Sequence, residues 1–162
     1  MIKTIGRWKM NAELRKIREL NTGAFTAELW IDGNLAAGVE DDGRGGGYMY
    51  RWADQQLRRS VSQDSFTAWI KAKDPITYTF TDGDRTLPMT PDLWVSDEML
   101  DQQLRRSCRR NTLIRLKGDN SDSYHSFKPA WKFSPTVAAK IREDHGSDLL
   151  EIINERFIKG AK

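Results

Sequence analysis

Alternation of apolar and polar residues is clearest from Phe25 to Ile31. There Phe25, Ala27, Leu29 and Ile31 alternate with Thr26, Glu28 and Trp30, the period of a strand with one buried face. Asp32, Gly33 and Asn34 follow, residue types that tolerate the positive φ of a tight turn. Leu35–Val39 predicts the return strand, with Gly38 marking a bulge. Next comes Asp41–Gly47, a loop in which four of the last five positions are glycine, and then an aromatic strand, Tyr48–Trp52. The stretch 23–52 therefore predicts the sheet on which the rest of the chain packs.

The flanks are less regular. Ile2, Ile5, Trp8 and Met10 suit a strand pairing with Phe25–Ile31, while Leu14, Ile17 and Leu20 recur at the three-residue spacing of a short helix. The predicted order is a strand and then a loop or short helix. Beyond Trp52, a helix is expected from about Ala53 to Ala72, in two pieces broken and capped at Asp64-Ser65. Leu57, Val61, Phe66, Trp69 and Ile70 form its buried stripe, and Asp74-Pro75 ends it. Ile76–Thr81 is a strand, with a short return over Arg85–Met89. Thr90 caps a helix with Pro91 at its first position, and Leu93, Val95, Met99, Leu100, Leu104 and Cys108 make one face over about 91–110. Thr112–Lys117 is a strand, Gly118–Ser123 a turn, and Tyr124–Lys132 an extended segment that Pro129 confines to an edge. Ser134-Pro135 starts a helix that Gly146 ends, and Leu149–Phe157 suits a closing strand better than a helix. The sum is one α+β domain over residues 1–162, a mainly antiparallel sheet packed against two or three helices.

The heptapeptide DQQLRRS occurs twice, at Asp54–Ser60 and Asp101–Ser107, each copy following an Asp-Gly turn. Duplication of a strand–turn–helix unit would produce this. Two helices of similar amphipathic design would produce it as well, and that simpler reading is preferred.

Composition bounds the class. With 162 residues, six Trp and six Phe, the chain can bury a core without disulfides or metal. It is 38% hydrophobic and 30% charged, polar for a globular protein yet not in the disordered range. No apolar run approaches the roughly 20 residues of a membrane span, so no membrane partner is expected. A single cysteine, Cys108, and the lack of a signal-peptide core at the N-terminus predict a cytoplasmic protein. The net charge of +3 is a small excess, so placement of the cations matters more than their number.

Arg105, Arg106, Arg109 and Arg110 fall on adjacent rows of one predicted helix, and Arg58 and Arg59, with Arg51 nearby, form a second group. Side by side, two such helices would present a basic surface suited to phosphate backbones. Solvated cations near helix C-termini, favoured by the macrodipole, are the plainer account. The glycine loop with Arg44 could form an anion-binding nest. However, it fails the G-x-G-x-x-G fingerprint at Tyr48, lacks the closing Gly-Lys-Ser/Thr of a phosphate loop, and leads into a strand. A turn where backbones approach closely fits it better. Trp30, Tyr48, Tyr50 and Trp52 could stack bases on an open sheet or form its core face, the preferred reading. The many aspartates sit mostly in turns, and His125 and His145 have no ligand spacing with Cys108. No metal, cofactor or catalytic group is therefore assigned, and Cys108 is expected to be a buried, inert thiol.

The pattern FTAELWIDGNLAAGVEDDGRGG, together with the segments TLIRLKGD and IINERF, resembles small uncharacterised proteins of phages and mobile elements. The resemblance implies a genomic setting in which small proteins bind nucleic acid or block host defence complexes. The expectation is a non-enzymatic binding protein that contacts nucleic acid or a host nucleoprotein complex through Arg44, Arg58, Arg59, Arg105, Arg106, Arg109 and Arg110. The competing expectation is an anti-CRISPR-like inhibitor of a protein complex, with Trp30, Tyr48 and Trp94 as interface anchors. A third, an enzyme holding a phosphorylated substrate at the glycine loop, would depend on Arg44.

Overall fold

A computed structural model describes residues 9–20, 22–56, 60–127 and 131–158. The chain divides into two compact units, Met1–Asp74 with Met89–Met99, and Pro75–Pro88 with Leu100–Lys162. The described residues adopt the expected α+β class, antiparallel sheets with helices.

In the first unit, β1 (Ala12–Glu19), β2 (Phe25–Ile31), β3 (Asn34–Asp41) and β4 (Met49–Trp52) form an antiparallel sheet in that order. The β2–β3 hairpin turns on Asp32 at φ 49° and Gly33 at φ 82°. Two consecutive positive φ values match the right-handed twist of the flanking strands. The first core cluster gathers Leu14, Phe25, Leu29, Val39 and Trp52 from the sheet with Phe66, Ile70, Trp94 and Val95 from two helices. These helices are α1 (Val61–Lys71) and the beginning of α2 (Pro91–Cys108). At the start of α2 the Thr90 hydroxyl accepts the Leu93 N–H at 3.2 Å, as its cap position requires.

Several expectations are corrected here. Ala12–Glu19 is a strand, and it is β1 that pairs with Phe25–Ile31. Its three-residue spacing has a cause other than helix. Between Arg15 and Arg18 the register gains a residue, and Lys16 stands at φ 50°. This bulge returns Ile17 to the core side that Leu14 already faces. In β3 the bulge falls at Ala36, between the pairs Leu29↔Ala37 and Trp30↔Leu35, while Gly38 stays in register with Glu28. As a result the consecutive Ala36 and Ala37 are both buried. The strand expected over Ile2–Met10 lies, as far as Trp8, outside the described residues.

No helix starts at Ala53. The Ala53 N–H donates to the Ala36 carbonyl at 2.8 Å, extending the β3–β4 ladder, and the chain then turns. The helix begins at Val61 behind a Ser60 cap, runs unbroken through Asp64-Ser65, and leaves Val61 69% exposed, outside the buried stripe.

The second unit holds a hairpin, β5 (Ile76–Phe80) and β6 (Gly83–Leu87), and a sheet ordered β8 (His125–Phe127), β7 (Thr112–Leu116), β9 (Leu149–Ile152). Helix α3 (Pro135–His145) has the expected Ser134 cap and Gly146 stop. It packs Ala138 and Ile141 against Ile114 and Ile152. A second cluster joins Leu104 of α2 to Leu113 and Ile153. Only Leu149–Ile152 of the expected closing strand is extended. Ile153–Phe157 tightens into a 3-10 turn.

Candidate nucleic-acid interface

The glycine loop belongs to the first unit and is tied by its own side chains. The Gly43 N–H donates to Asp41 Oδ1 and the Arg44 N–H to Asp42 Oδ1, both at 2.9 Å. Two of the groups an anion nest would use are thus already held by carboxylates. Gly43, at φ 72°, has room for no side chain: a Cβ there would lie 2.8 Å from the Ala24 nitrogen and from the Thr22 carbonyl oxygen. Beyond the loop, Asp92 in the first turn of α2 accepts the Tyr48 N–H at 3.0 Å and the Tyr50 hydroxyl at 2.9 Å. Burial, reinforced by this carboxylate, pushes the Tyr50 phenol far above its ordinary range. Arg44 itself is exposed at the loop tip.

The aromatic residues separate by face. Tyr48 meets Phe25 edge-on at 5.0 Å, its hydroxyl lies 2.7 Å from that of Ser96, and Tyr50 and Trp52 stack at 5.9 Å on the core side. Trp94 is 7% exposed, inside a ring cluster with Phe66 and Trp69. Trp94 is buried away from the interface role the sequence suggested for it, while Tyr48 is half-buried with its hydroxyl already engaged. Trp30 alternates with the buried Leu29 and so lies on the opposite sheet face from Tyr48. The Arg15 guanidinium sits 4.2 Å from its ring centroid, and its indole N–H donates to Glu28 at 2.9 Å. The Lys16 ammonium, followed by that indole, holds the Glu28 carboxyl below its usual value.

The arginines at the end of α2 belong to the second unit. Arg105 is engaged, with its guanidinium 2.8 Å from Asp101 and 4.7 Å from the Phe157 ring. Arg106, Arg109 and Arg110 are exposed and form no ion pair among the described residues. By contrast Arg15, Arg51, Arg85, Arg115, Arg142 and Arg156 each meet a carboxylate. Arg58 and Arg59 lie outside the described residues. The pair of DQQLRRS helices expected to carry the basic surface is not formed, because Asp54–Gln56 are not helical. Arg109 and Arg110 also stand just past the helix, in a turn where their N–H groups donate to the Arg106 and Ser107 carbonyls at 3.3 and 3.1 Å.

A residue that pattern reasoning passed over holds this turn. Asn154 is buried. Its Oδ1 accepts the Leu113 N–H at 2.8 Å, and its amide donates to the carbonyls of Cys108 at 3.2 Å and Asn111 at 2.9 Å. One side chain thereby fixes the end of α2 to the start of β7 and sets where Arg109 and Arg110 leave the surface. Its one visible signal was an asparagine inside an apolar run, IINERF. Trp131 was also missed. It is 38% exposed and stacks on Phe127 at 5.9 Å.

Cys108 is half-buried, and burial pushes its thiol up to about 11, against a smaller opposing pull from Arg156. Among the described residues no group of three or more His, Cys, Asp or Glu could hold a metal ion, and no helix is long and apolar enough to cross a membrane. No protein-family model, curated protein or solved structure matches the chain.

Proposed function

We propose that this chain is a non-enzymatic accessory protein of a phage or mobile element. It acts in the cytoplasm and binds nucleic acid, free or within a nucleoprotein complex, through Arg106, Arg109 and Arg110. The observation that carries the reading is selective pairing. Among the described residues seven of twelve arginines meet a carboxylate, and Arg18 and Arg44 stand singly on the first unit, whereas Arg106, Arg109 and Arg110 follow one another at one helix end with no such partner. Unneutralised guanidinium groups gathered within one short stretch of chain are what a phosphate backbone displaces counterions to meet. Arg44 is a separate exposed cation on the first unit, in a loop where the Gly43 and Arg44 N–H groups are already taken, and contributes charge at most.

The test is binding to a labelled oligonucleotide at about 50 mM salt, where phosphate-driven binding is strong. The logarithm of the affinity should fall linearly with the logarithm of salt concentration, and the triple change of Arg106, Arg109 and Arg110 to Ala should flatten that slope. Absence of binding by the unaltered protein sinks the reading.

A second reading, an anti-CRISPR-like inhibitor directed at a protein complex, draws on a different feature. In the first unit a largely apolar groove of about 730 Å³ is lined by Met10, Ile31, Val61, Ala68 and Trp69, with Lys73 at 4.0 Å over the Trp69 ring. This reading expects a stoichiometric protein partner that survives nuclease treatment and is lost on Val61→Glu.

A further inference from the structure

We infer that the second unit binds single-stranded nucleic acid in preference to duplex, with Trp131 as the platform on which an unpaired base stacks. The inference rests on the arginine reading above and adds a ligand class to it.

Three observations converge. First, β8 is an edge strand, and its last residue, Phe127, is paired with Thr112 at the start of β7. Thr112 comes two residues after Arg110, so the arginine turn and the end of β8 share one end of the sheet. Second, Trp131 is fastened to that same point, because the buried Thr112 hydroxyl donates to the Trp131 carbonyl. Third, Phe127 and Trp131 stack with their planes 30° apart, and the His145 ring lies 6.3 Å from Phe127. The indole is therefore backed on one side by a ring and still 38% open to solvent. A large aromatic side chain tied at its carbonyl, supported on one face and exposed elsewhere has gained little from core packing. Lys132, exposed, follows it directly.

The chemistry selects the ligand. Cations spaced along a surface track phosphates of any nucleic acid, but an exposed ring gains only from a base face that is free. In a duplex those faces are covered by neighbouring base pairs, whereas in a single strand they are open, and ring stacking is tolerant of base identity. A ring platform at the sheet end that follows the arginine turn fits a short unpaired segment, in DNA or RNA.

The experiment is fluorescence anisotropy with labelled oligo-dT, oligo-U and a duplex of equal length at about 50 mM salt, on the full chain. The expected result is tighter binding of the single strands than of the duplex. Trp131→Ala should weaken single-strand binding about tenfold, in the range of one base–aromatic stack, and leave duplex binding unchanged. Trp131→Phe should retain most of the affinity while losing the part of the intrinsic tryptophan quenching that the oligonucleotide causes, a readout that stands even if Trp131→Ala fails to fold. Oligo-dU, which differs from oligo-U in the sugar alone, reports whether the 2′-hydroxyl matters. Equal binding of single strand and duplex, with no effect of either Trp131 change on affinity or quenching, overturns the stacking inference. If Arg109→Ala with Arg110→Ala still weakens both ligands in that case, the arginine reading survives it. No binding of any oligonucleotide overturns both.

Discussion

In the first DQQLRRS segment the Asp54 carboxylate accepts the Ser60 hydroxyl and, at 2.9 Å, the Ser62 N–H, and Ser60 in turn accepts the Gln63 N–H at 3.0 Å to cap α1. In the second, Asp101 lies inside α2 and pairs with Arg105 one turn on, Leu104 is 1% exposed, and Ser107 offers its carbonyl to the turn that follows. The same aspartate and serine serve as a helix entrance in one place and as the last two turns of a helix in the other. The flanks decide this. Trp52, buried at the end of β4, delivers the first copy from a strand, so its chain must turn before a helix can nucleate. Thr90 and Pro91 start α2 well upstream of the second copy, which inherits a helix already under way. Identical local propensity was available to both, and it was weaker than either flank.

The contrast can be broken most forcefully at Leu104. Leu104→Ala opens a cavity in the cluster with Leu113 and Ile153 and should cost about 2–5 kcal/mol in urea unfolding. A loss below about 1 kcal/mol, the size of a surface change, would mean the second copy is not anchored by its leucine. Next in size is Asn154→Ala, which strands the buried Leu113 N–H and frees two carbonyls at the end of α2. It should cost about 2–4 kcal/mol and should weaken oligonucleotide binding without touching an arginine. Unchanged binding at full occupancy of the fold would remove Asn154 from the positioning of Arg109 and Arg110.

The sharpest single comparison uses one substitution twice. Ser60→Ala removes a cap and should destabilise by about 1 kcal/mol. Ser107→Ala, in the last turn of α2, should stay within about 0.5 kcal/mol, and equal effects would erase the distinction between the copies. Asp101→Ala removes an exposed helical ion pair and should cost only about 0.3–0.5 kcal/mol.

Asp54 adds a pH dependence. The Ser60 hydroxyl, then the Ser62 N–H, hold its carboxyl below the ordinary value. A folded-state value below the unfolded one gives stability that is fully present above about pH 3.9 and is lost as pH falls through the folded value. Asp54→Asn should therefore flatten the acid limb of the stability curve below pH 4, and an unchanged limb would refute the linkage.

How much was legible varied with how local the cause was. The β2–β3 hairpin was readable because its alternation and its Asp-Gly turn lie within one stretch and agree. The caps at Thr90-Pro91 and Ser134-Pro135 and the Gly146 stop were readable for the same reason. β1 was not. Its bulge at Lys16 shifts one side chain and so imitates a helical spacing, and a bulge exists only relative to the strand beside it. Trp94 looked like a candidate anchor because a lone tryptophan is ambiguous until Phe66 and Trp69 are seen around it. The arginine group was visible as composition, but which members are neutralised depends on carboxylates elsewhere in the chain or in the fold. Trp131 carried no signal beyond an aromatic next to a lysine, because its neighbour Thr112 lies 19 positions away.

By itself the sequence determined the α+β class, the central hairpin, the tight glycine crossing and the caps of α2 and α3, all set by backbone preferences and periodicities acting within a few residues. Only the tertiary structure decided which strand pairs beside Phe25–Ile31, which face each aromatic residue takes, which arginines remain unmatched, and which DQQLRRS becomes helix. These outcomes depend on burial and hydrogen bonding between distant segments, and those energies exceed the small local propensities that a seven-residue string can express.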